Sequence, residues 1–403
     1  MQTLQIAGDS AYGGDTYLLL EWCRYLVEKG CGVEVVTTDV TTISALRKIT
    51  DVRVIDSIYI PREISPRADV RAFFQLLALM RSRKYHVVHT YTATPGFLGR
   101  VAARSVGVPV IVHHQICWNG GDFASLPGKI SYRPLEALAT LASTRSICVS
   151  HATVDQAQRY RLVPMHKLVT ICNGIDPTDY LAADSNSRKA LRNELGISDD
   201  TLVIGNTGRL RPQKDNQTLI RAMAHLGSLM TGRPSVLLLA GDGPDRRMLG
   251  GLVQSLGIDD QVRFLGFRRD IPAFLAAIDI FVNPSLWEGL SISLMEAMAS
   301  AKPIVTSSIP PNAELIEHDV TGLLVPPKSP EQVAEAIARF VQDPGLAQRC
   351  ARAARHRVLE HYTIDRMFQE TWDLYVDLLE EGRPETAAAS KPEGCLSQSL
   401  ANR

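Results

Sequence analysis

Short runs of apolar, β-branched residues recur along the chain, separated by stretches in which apolar positions return every three to four residues. The first run, at 4–6, leads into a predicted helix over 15–29 whose Leu19, Cys23, Leu26 and Val27 share one face, and then into a strand over 33–38. The alternation continues with strands at 52–56, 86–91 and 109–114 and helices at 70–83 and 97–106. A strand at 147–150, a helix at 154–161 and a strand at 168–172 complete the series. Repeated strand–helix–strand units of this size predict a parallel sheet covered by helices on both faces.

The stretch 173–200 is polar, with Gly, Pro, Asp, Asn and Ser, and reads as a linker. Beyond it a second alternating series starts, with strands at 202–207, 235–240, 262–265, 280–283, 303–307 and 323–325. The fold class is therefore α/β, with two Rossmann-like, doubly wound parallel-sheet domains. Three helices close the chain, and the last, over 364–380, carries Ile364, Phe368, Trp372, Tyr375 and Leu379 on one face, a stripe that needs a surface to cover it. Residues 382–403, rich in Ala, Ser, Pro and charge, have little to bury and are expected to form a disordered tail.

A length of 403 residues suits two domains that each bury their own apolar interior. Lysine plus arginine and aspartate plus glutamate both number 43, so no global field draws the protein to nucleic acid, and any basic function must be local. Seven scattered cysteines without a Cys-x-x-Cys pair argue against a disulfide framework or a zinc site and point to a reducing cytoplasm. The first residues run into a strand without the pattern of a secretory signal. The longest apolar stretches, near 73–80 and 236–240, fall far short of the roughly 20 residues that cross a bilayer.

In parallel α/β sheets ligands gather at the carboxyl ends of strands, which directs attention to four loops. In the first, Gly13 and Gly14 directly precede a helix, where backbone N–H groups can approach an anion; an ordinary glycine turn would look the same. In the second, Gly208, Arg209 and Lys214 follow a strand, and a guanidinium with an ammonium suits a diphosphate, although exposed cations are more often solvated surface. The third, SLWEGLS at 285–291, places Ser291 as the N-cap of a helix that contains Glu296. Its free N–H groups suit a phosphate or a sugar hydroxyl, and Glu288 and Glu296 either bind the hydroxyls of a sugar and a ribose or belong to a solvated face. The fourth ends in His113 and His114, which point to opposite faces, so at most one reaches a given site. No His or Cys has zinc-ligand spacing and the chain lacks Asp-x-Asp, so no metal is expected.

GNTGRLRPQK at 205–214, GDGP at 241–244, SLWEGLSISLMEAMA at 285–299 and TGLLVPP at 321–327 stand in a familiar order and spacing. With them the chain resembles the retaining glycosyltransferases of family four (glycosyl transferases group 1), of the GT-B fold, over nearly its whole length to about residue 380. The resemblance implies an acceptor-binding domain over 1–173, completed by a C-terminal helix at 361–381 that crosses back to it, and a donor-binding domain over 174–360 across a cleft. It implies that Arg209 and Lys214 grip the donor diphosphate, that Glu296 holds the ribose hydroxyls and that Glu288 contacts the transferred sugar. Backbone groups of Gly289, Leu290 and Ser291 would serve the sugar and phosphate, Gly266, Phe267 and Arg268 would frame the base, and Gly14 matches the glycine that approaches the donor phosphates. The family's histidine falls on His114 or on Ile116, depending on alignment, and is assigned to His114.

The same resemblance implies a metal-independent, cofactor-free transfer with retention. The donor is a nucleotide-diphosphate hexose, UDP favoured, and the acceptor a hydroxyl of a lipid-linked or saccharide molecule in bacterial surface or extracellular polysaccharide synthesis. Such an enzyme would sit in the cytoplasm or peripherally at the inner membrane face, and residues 58–71, basic beside apolar, are the candidate membrane-contacting surface. A Rossmann oxidoreductase is disfavoured because no glycine-rich stretch completes G-x-G-x-x-G. A sugar-nucleotide epimerase shares the architecture but is disfavoured by the Arg209, Lys214, Glu288 and Glu296 set. A non-catalytic nucleotide-binding protein of this fold is the alternative if the histidine is lost.

Overall fold

A computed structural model describes residues 1–9, 14–61, 65–118, 126–230 and 232–382. Gly13 and the predicted tail beyond 382 lie outside them. The first half runs β1 (Gln2–Gly8), α1 (Gly14–Glu28), β2 (Gly32–Thr37), α2 (Val40–Leu46), β3 (Val52–Ile55), α3 (Pro66–Ser82), β4 (Val87–Tyr91), α4 (Ala93–Ser105), β5 (Val110–Gln115), α5 (Leu126–Ala142), β6 (Arg145–Cys148), α6 (His151–Arg159) and β7 (Leu168–Thr170). The chain continues through α7 (Thr178–Ala182), α8 (Ser185–Glu194), β8 (Leu202–Thr207), α9 (Asn216–Leu229), β9 (Ser235–Ala240), α10 (Arg246–Leu256), β10 (Val262–Gly266), α11 (Ile271–Ala277), β11 (Ile280–Asn283), α12 (Ile292–Ala299), β12 (Ile304–Ser307), α13 (Pro310–Leu315) and β13 (Leu323–Val325). It closes with α14 (Pro330–Gln342), α15 (Pro344–His361) and α16 (Ile364–Glu381).

The strands form two parallel sheets, ordered β3-β2-β1-β4-β5-β6-β7 and β10-β9-β8-β11-β12-β13. Every strand near a sheet centre is buried on both faces, as helical layers on either side require. In the first sheet Val87, Val110 and Val112 face α1 and α16, whereas Val88 and Ile111 face α3 and α4. In the second, Ile204, Leu237 and Leu239 face α9 and α14, whereas Val203, Val236 and Leu238 face α11 and α12. The strand order reverses between β1 and β4 and between β8 and β11, and the crevices outside those carboxyl ends are where such sheets bind ligands.

The predicted polar linker is structured. Asp184 caps α8 by accepting from the N–H groups of Asn186 and Ser187, and Leu191 and Arg192 of that helix are buried against the second sheet's helices. Arg192 and Arg188 both pair with Asp279, at 2.9 and 2.7 Å. The crossing between the halves is narrower: Ile175 N–H donates to the Tyr362 carbonyl and Ile364 N–H returns a bond to Ile175. A Cβ on Gly174 would lie 2.1 Å from the Thr363 carbonyl oxygen, so glycine lets the two crossing strands touch.

The last helix returns to the first sheet, as its stripe requires. Ile364, Phe368 and Tyr375 are buried there, with the Phe368 and Tyr375 rings 5.3 and 5.6 Å from Trp22 of α1. Tyr375 also meets His89 of β4, its hydroxyl 2.6 Å from Nδ1.

Candidate active site

A cleft of about 1800 Å³ opens between the carboxyl edges of the two sheets, and it collects most of the residues singled out in the sequence. On the second sheet, β8 ends at Thr207 and Gly208 turns away with φ +142°, a conformation open to glycine. Gly208 N–H donates to the Ala240 carbonyl and Leu210 N–H to that of Asp242, both at 3.0 Å. A Cβ on Gly241 would stand 1.9 Å from the Gly208 oxygen and one on Gly243 would stand 2.3 Å from the Leu210 oxygen. The GDGP glycines thus allow two loops to stack backbone on backbone, which brings Arg209 and Lys214 to the cleft.

Lys214 Nζ lies 2.6 Å from Glu288 Oε1, which also accepts from Ser285 Oγ at 2.7 Å, while Gln213 Nε2 reaches Oε2 at 3.2 Å. Glu288 borders the cleft, yet its carboxylate is engaged in holding the ammonium in place. Backbone joins the same two loops, since Leu286 N–H donates to the Gln213 carbonyl.

Gly289, Leu290 and Ser291 line the cleft just ahead of α12. Ser291 occupies the N-cap position, but its hydroxyl accepts from Asn283 Nδ2 and meets Ser293 Oγ instead of capping the backbone. The helix therefore presents first-turn N–H groups uncapped by that side chain, a setting that favours an anion. One turn on, Glu296 is half-buried at the cleft, with Tyr180 Oη donating to its Oε1 at 2.7 Å. Burial pushes Glu296 up to about 7, against the opposing pull of the Tyr180 hydrogen bond and the Lys214 charge.

At the far edge Gly266 accepts from Gly241 N–H at 2.7 Å, and Phe267 holds a 61 % exposed side chain at the cleft, a flat apolar surface of the kind a base stacks on. Arg268 is held by Asp270 and Glu194.

On the first sheet Gly14 opens α1. His113 and His114 leave β5 in opposite directions: His113 Nδ1 meets Thr90 Oγ1 at 2.9 Å and its ring packs on Gly96 of α4, whereas His114 Nε2 meets Asn173 Oδ1 at 3.3 Å. Both rings nevertheless border the cleft, which corrects the expectation that only one would. Burial lowers His114 to about 4 and His113 well below its usual value, so both are neutral near pH 7. The Asn173 hydrogen bond works against that shift at His114.

Three contributors escaped the sequence reading. Tyr180 and Asn173 fall in the stretch taken for a linker. Thr92, at the first sheet's reversal point, borders the cleft with φ +60° and ψ 176°, a conformation that costs a residue with a side chain on the order of 1–3 kcal/mol. Nothing in the residue pattern marks it.

Among the described residues, His151, Cys172 and Glu314 place potential metal-ligand atoms within 4.8 Å of one another, in a separate crevice behind the crossing point. Glu314 there accepts from the N–H groups of His151 and Ala152, both at 3.1 Å, and so pins α13 of one half to the start of α6 of the other.

Two family profiles divide the chain: Glycosyltransferase Family 4 matches residues 12–179 and Glycosyl transferases group 1 matches residues 187–357. The chain is 30% identical over 321 residues to the UDP-Gal:alpha-D-GlcNAc-diphosphoundecaprenol alpha-1,3-galactosyltransferase of Escherichia coli, covering 79% of this chain and 82% of that one. It is 24% identical over 319 residues to the N-acetyl-alpha-D-glucosaminyl L-malate synthase of Bacillus anthracis, covering 79% and 81%. The crystal structure of Anabaena HepE in complex with UDP and glucose superimposes with a TM-score of 0.80 at 20% identity, over 94% of this chain and all of that one. With two facing Rossmann-like domains, a returning C-terminal helix and these matches, the chain belongs to glycosyltransferase family four and has the GT-B fold.

Proposed function

We propose that this glycosyltransferase moves a hexose-type sugar from a UDP-sugar to an acceptor hydroxyl with retention and without a metal ion. The observation that supports this best is the convergence of Arg209, Lys214, the start of α12 and Glu296 on one cleft at the second sheet's reversal point. Two cations and a helix N-terminus supply countercharge for a diphosphate leaving group in a partly enclosed site. Glu296 takes the ribose hydroxyls, Phe267 and Arg268 frame the base, and Gly289 to Ser291 meet the sugar and phosphate.

In this reading the acceptor hydroxyl approaches the anomeric carbon on the face that the diphosphate leaves. The new C–O bond forms as the sugar–phosphate bond breaks, and the departing phosphate oxygen takes the hydroxyl proton. Catalysis then rests on positioning and charge neutralisation, with neutral His114 available for a hydrogen bond to the sugar. Closure about the crossing at 174–175 and 363–364 would exclude water. The test is transfer from a panel of UDP-sugars in EDTA, with the product's anomeric configuration read by NMR. A strict metal requirement, or an inverted product, would contradict the proposal.

The acceptor is proposed to be lipid-linked or saccharide, in surface polysaccharide synthesis, a reading supported by the diphosphoundecaprenol in the Escherichia coli relative's name. No helix among the described residues is long and apolar enough to cross a membrane. Peripheral contact is supported by the later part of the stretch read from the sequence and its continuation: Ile58 and Ile60 are buried, but Arg67, Val70 and Arg71 are exposed, and Phe74 and Arg81 extend the same face of α3 at positions 3, 4, 7 and 14 after Arg67. Apolar and basic side chains on one outward face suit an anionic bilayer. Flotation with anionic liposomes should exceed that with neutral ones, and an equal result removes the membrane proposal.

A further inference from the structure

Glu296 borders the cleft, and what holds its carboxylate comes from the segment read as a linker. Tyr180 sits on α7, five residues after the chain crosses between the sheets at Ile175, and it borders the same cleft as Glu296. Its hydroxyl donates to Glu296 Oε1 at 2.7 Å, a part-buried bond that is charge-assisted when the carboxyl is ionised. We propose that Tyr180 is a positioning residue of the donor site: its hydroxyl holds the Glu296 carboxylate through one oxygen, so that the remaining oxygen is turned to accept the ribose hydroxyls of a nucleoside diphosphate. The inference rests on the reading of Glu296 as the ribose-binding group.

The physical need is specific. A carboxylate accepts hydrogen bonds from a diol at every lone pair, whereas a protonated carboxyl presents a donor on one oxygen and loses that pairing. Burial drives Glu296 toward protonation near neutral pH, and the groups facing it decide the outcome. Tyr180 from α7 and Lys214 from the loop after β8 favour the carboxylate. Tyr17 of α1 faces Glu296 across the cleft together with Asp176 and Asp179, and after burial and the nearer Glu21 these negative charges help hold its own hydroxyl protonated. Tyr180 is the group among these that donates a hydrogen bond directly to the carboxylate. Removing it raises the pH at which Glu296 ionises, so donor binding should weaken at neutral pH and return in alkali.

The test is calorimetric titration of the full chain with UDP from pH 6 to pH 9, in EDTA, for the wild type, Tyr180→Phe and Glu296→Gln. Losing one hydrogen bond to a charged group should weaken UDP binding by Tyr180→Phe about tenfold at pH 7. Affinity should recover to within about threefold of wild type at pH 9, with the acid limb displaced upward by about one pH unit. A packing defect would weaken binding equally at all pH values, and that outcome overturns the proposal. So does a Tyr180→Phe profile superimposable on wild type while Glu296→Gln is flat and weak. If Glu296→Gln itself keeps wild-type affinity and the wild-type acid limb, the ribose reading falls and the Tyr180 inference with it.

Discussion

Replacing Lys214 by methionine keeps the length of the stem and removes the charge. Glu288, 7 % exposed, is then left with Ser285 Oγ at 2.7 Å and Gln213 Nε2 at 3.2 Å as its donors. Deleting one partner of a buried pair costs about 3–5 kcal/mol, and the two remaining donors place this site near the lower end. A loss of about 3 kcal/mol lowers Tm by about 6–12 °C for a domain of this size. The double variant Lys214→Met, Glu288→Gln removes the orphaned charge and should recover most of that loss in a fluorimetric melt. Turnover should behave otherwise. If the ammonium neutralises the leaving diphosphate, single and double variants alike lose about 10²–10³-fold in kcat for UDP-sugar turnover. Recovery of kcat together with Tm in the double variant would refute this reasoning and make Lys214 a structural residue.

Other consequences follow from particular residues. Gly241→Ala, at φ +150° and 1.9 Å from the Gly208 oxygen, should destabilise the protein and weaken UDP binding together, because the Arg209 loop must move; unchanged melting and binding would show that the loops do not stack as described. Asp279→Asn should lower Tm by several degrees, since burial raises this carboxyl but the Val203 N–H and the Arg188 and Arg192 guanidiniums outweigh it; a neutral effect in the melt would remove α8 from the second domain's framework. His114, lowered to about 4 by burial, contributes stability that is complete above its unfolded value and is lost as pH falls through 4. At pH 5 its share of the loss is about 2 kcal/mol, with buried His89 and His113 shifted the same way, so a melt that is flat from pH 7 to pH 5 would contradict their burial.

The alternation of β-branched runs and helical periods carried the two-sheet architecture, because parallel strands buried on both faces read as short continuous apolar segments. Helices that break their own propensity did not show. Val40, Thr41, Thr42 and Ile43 of α2 are β-branched, and the helix depends on Asp39, whose side chain accepts from Thr42 N–H. In α8 only Leu191 and Arg192 are buried, too narrow a stripe to stand out from polar neighbours. Cleft residues at strand ends were legible because the parallel fold dictates where loops converge. Tyr180, Asn173 and Thr92 were not, because their importance comes from what the tertiary fold sets beside them: Glu296, His114 and the reversal point of the first sheet. Glu288 was placed at the site, while its engagement with Lys214, Ser285 and Gln213 is visible only in three dimensions.

The central claim, that the cleft takes a nucleotide-diphosphate donor through Glu296 and fixed protein cations without a metal, is tested most directly by thermal shift in EDTA with UDP, GDP and ADP, on the wild type and on Glu296→Ala. A nucleotide at 100 times its Kd stabilises by about 2.7 kcal/mol, a clear shift in the melt. The account predicts that UDP stabilises the wild type in EDTA and Glu296→Ala much less. No stabilisation by any of the three, or equal stabilisation of both proteins, would contradict it.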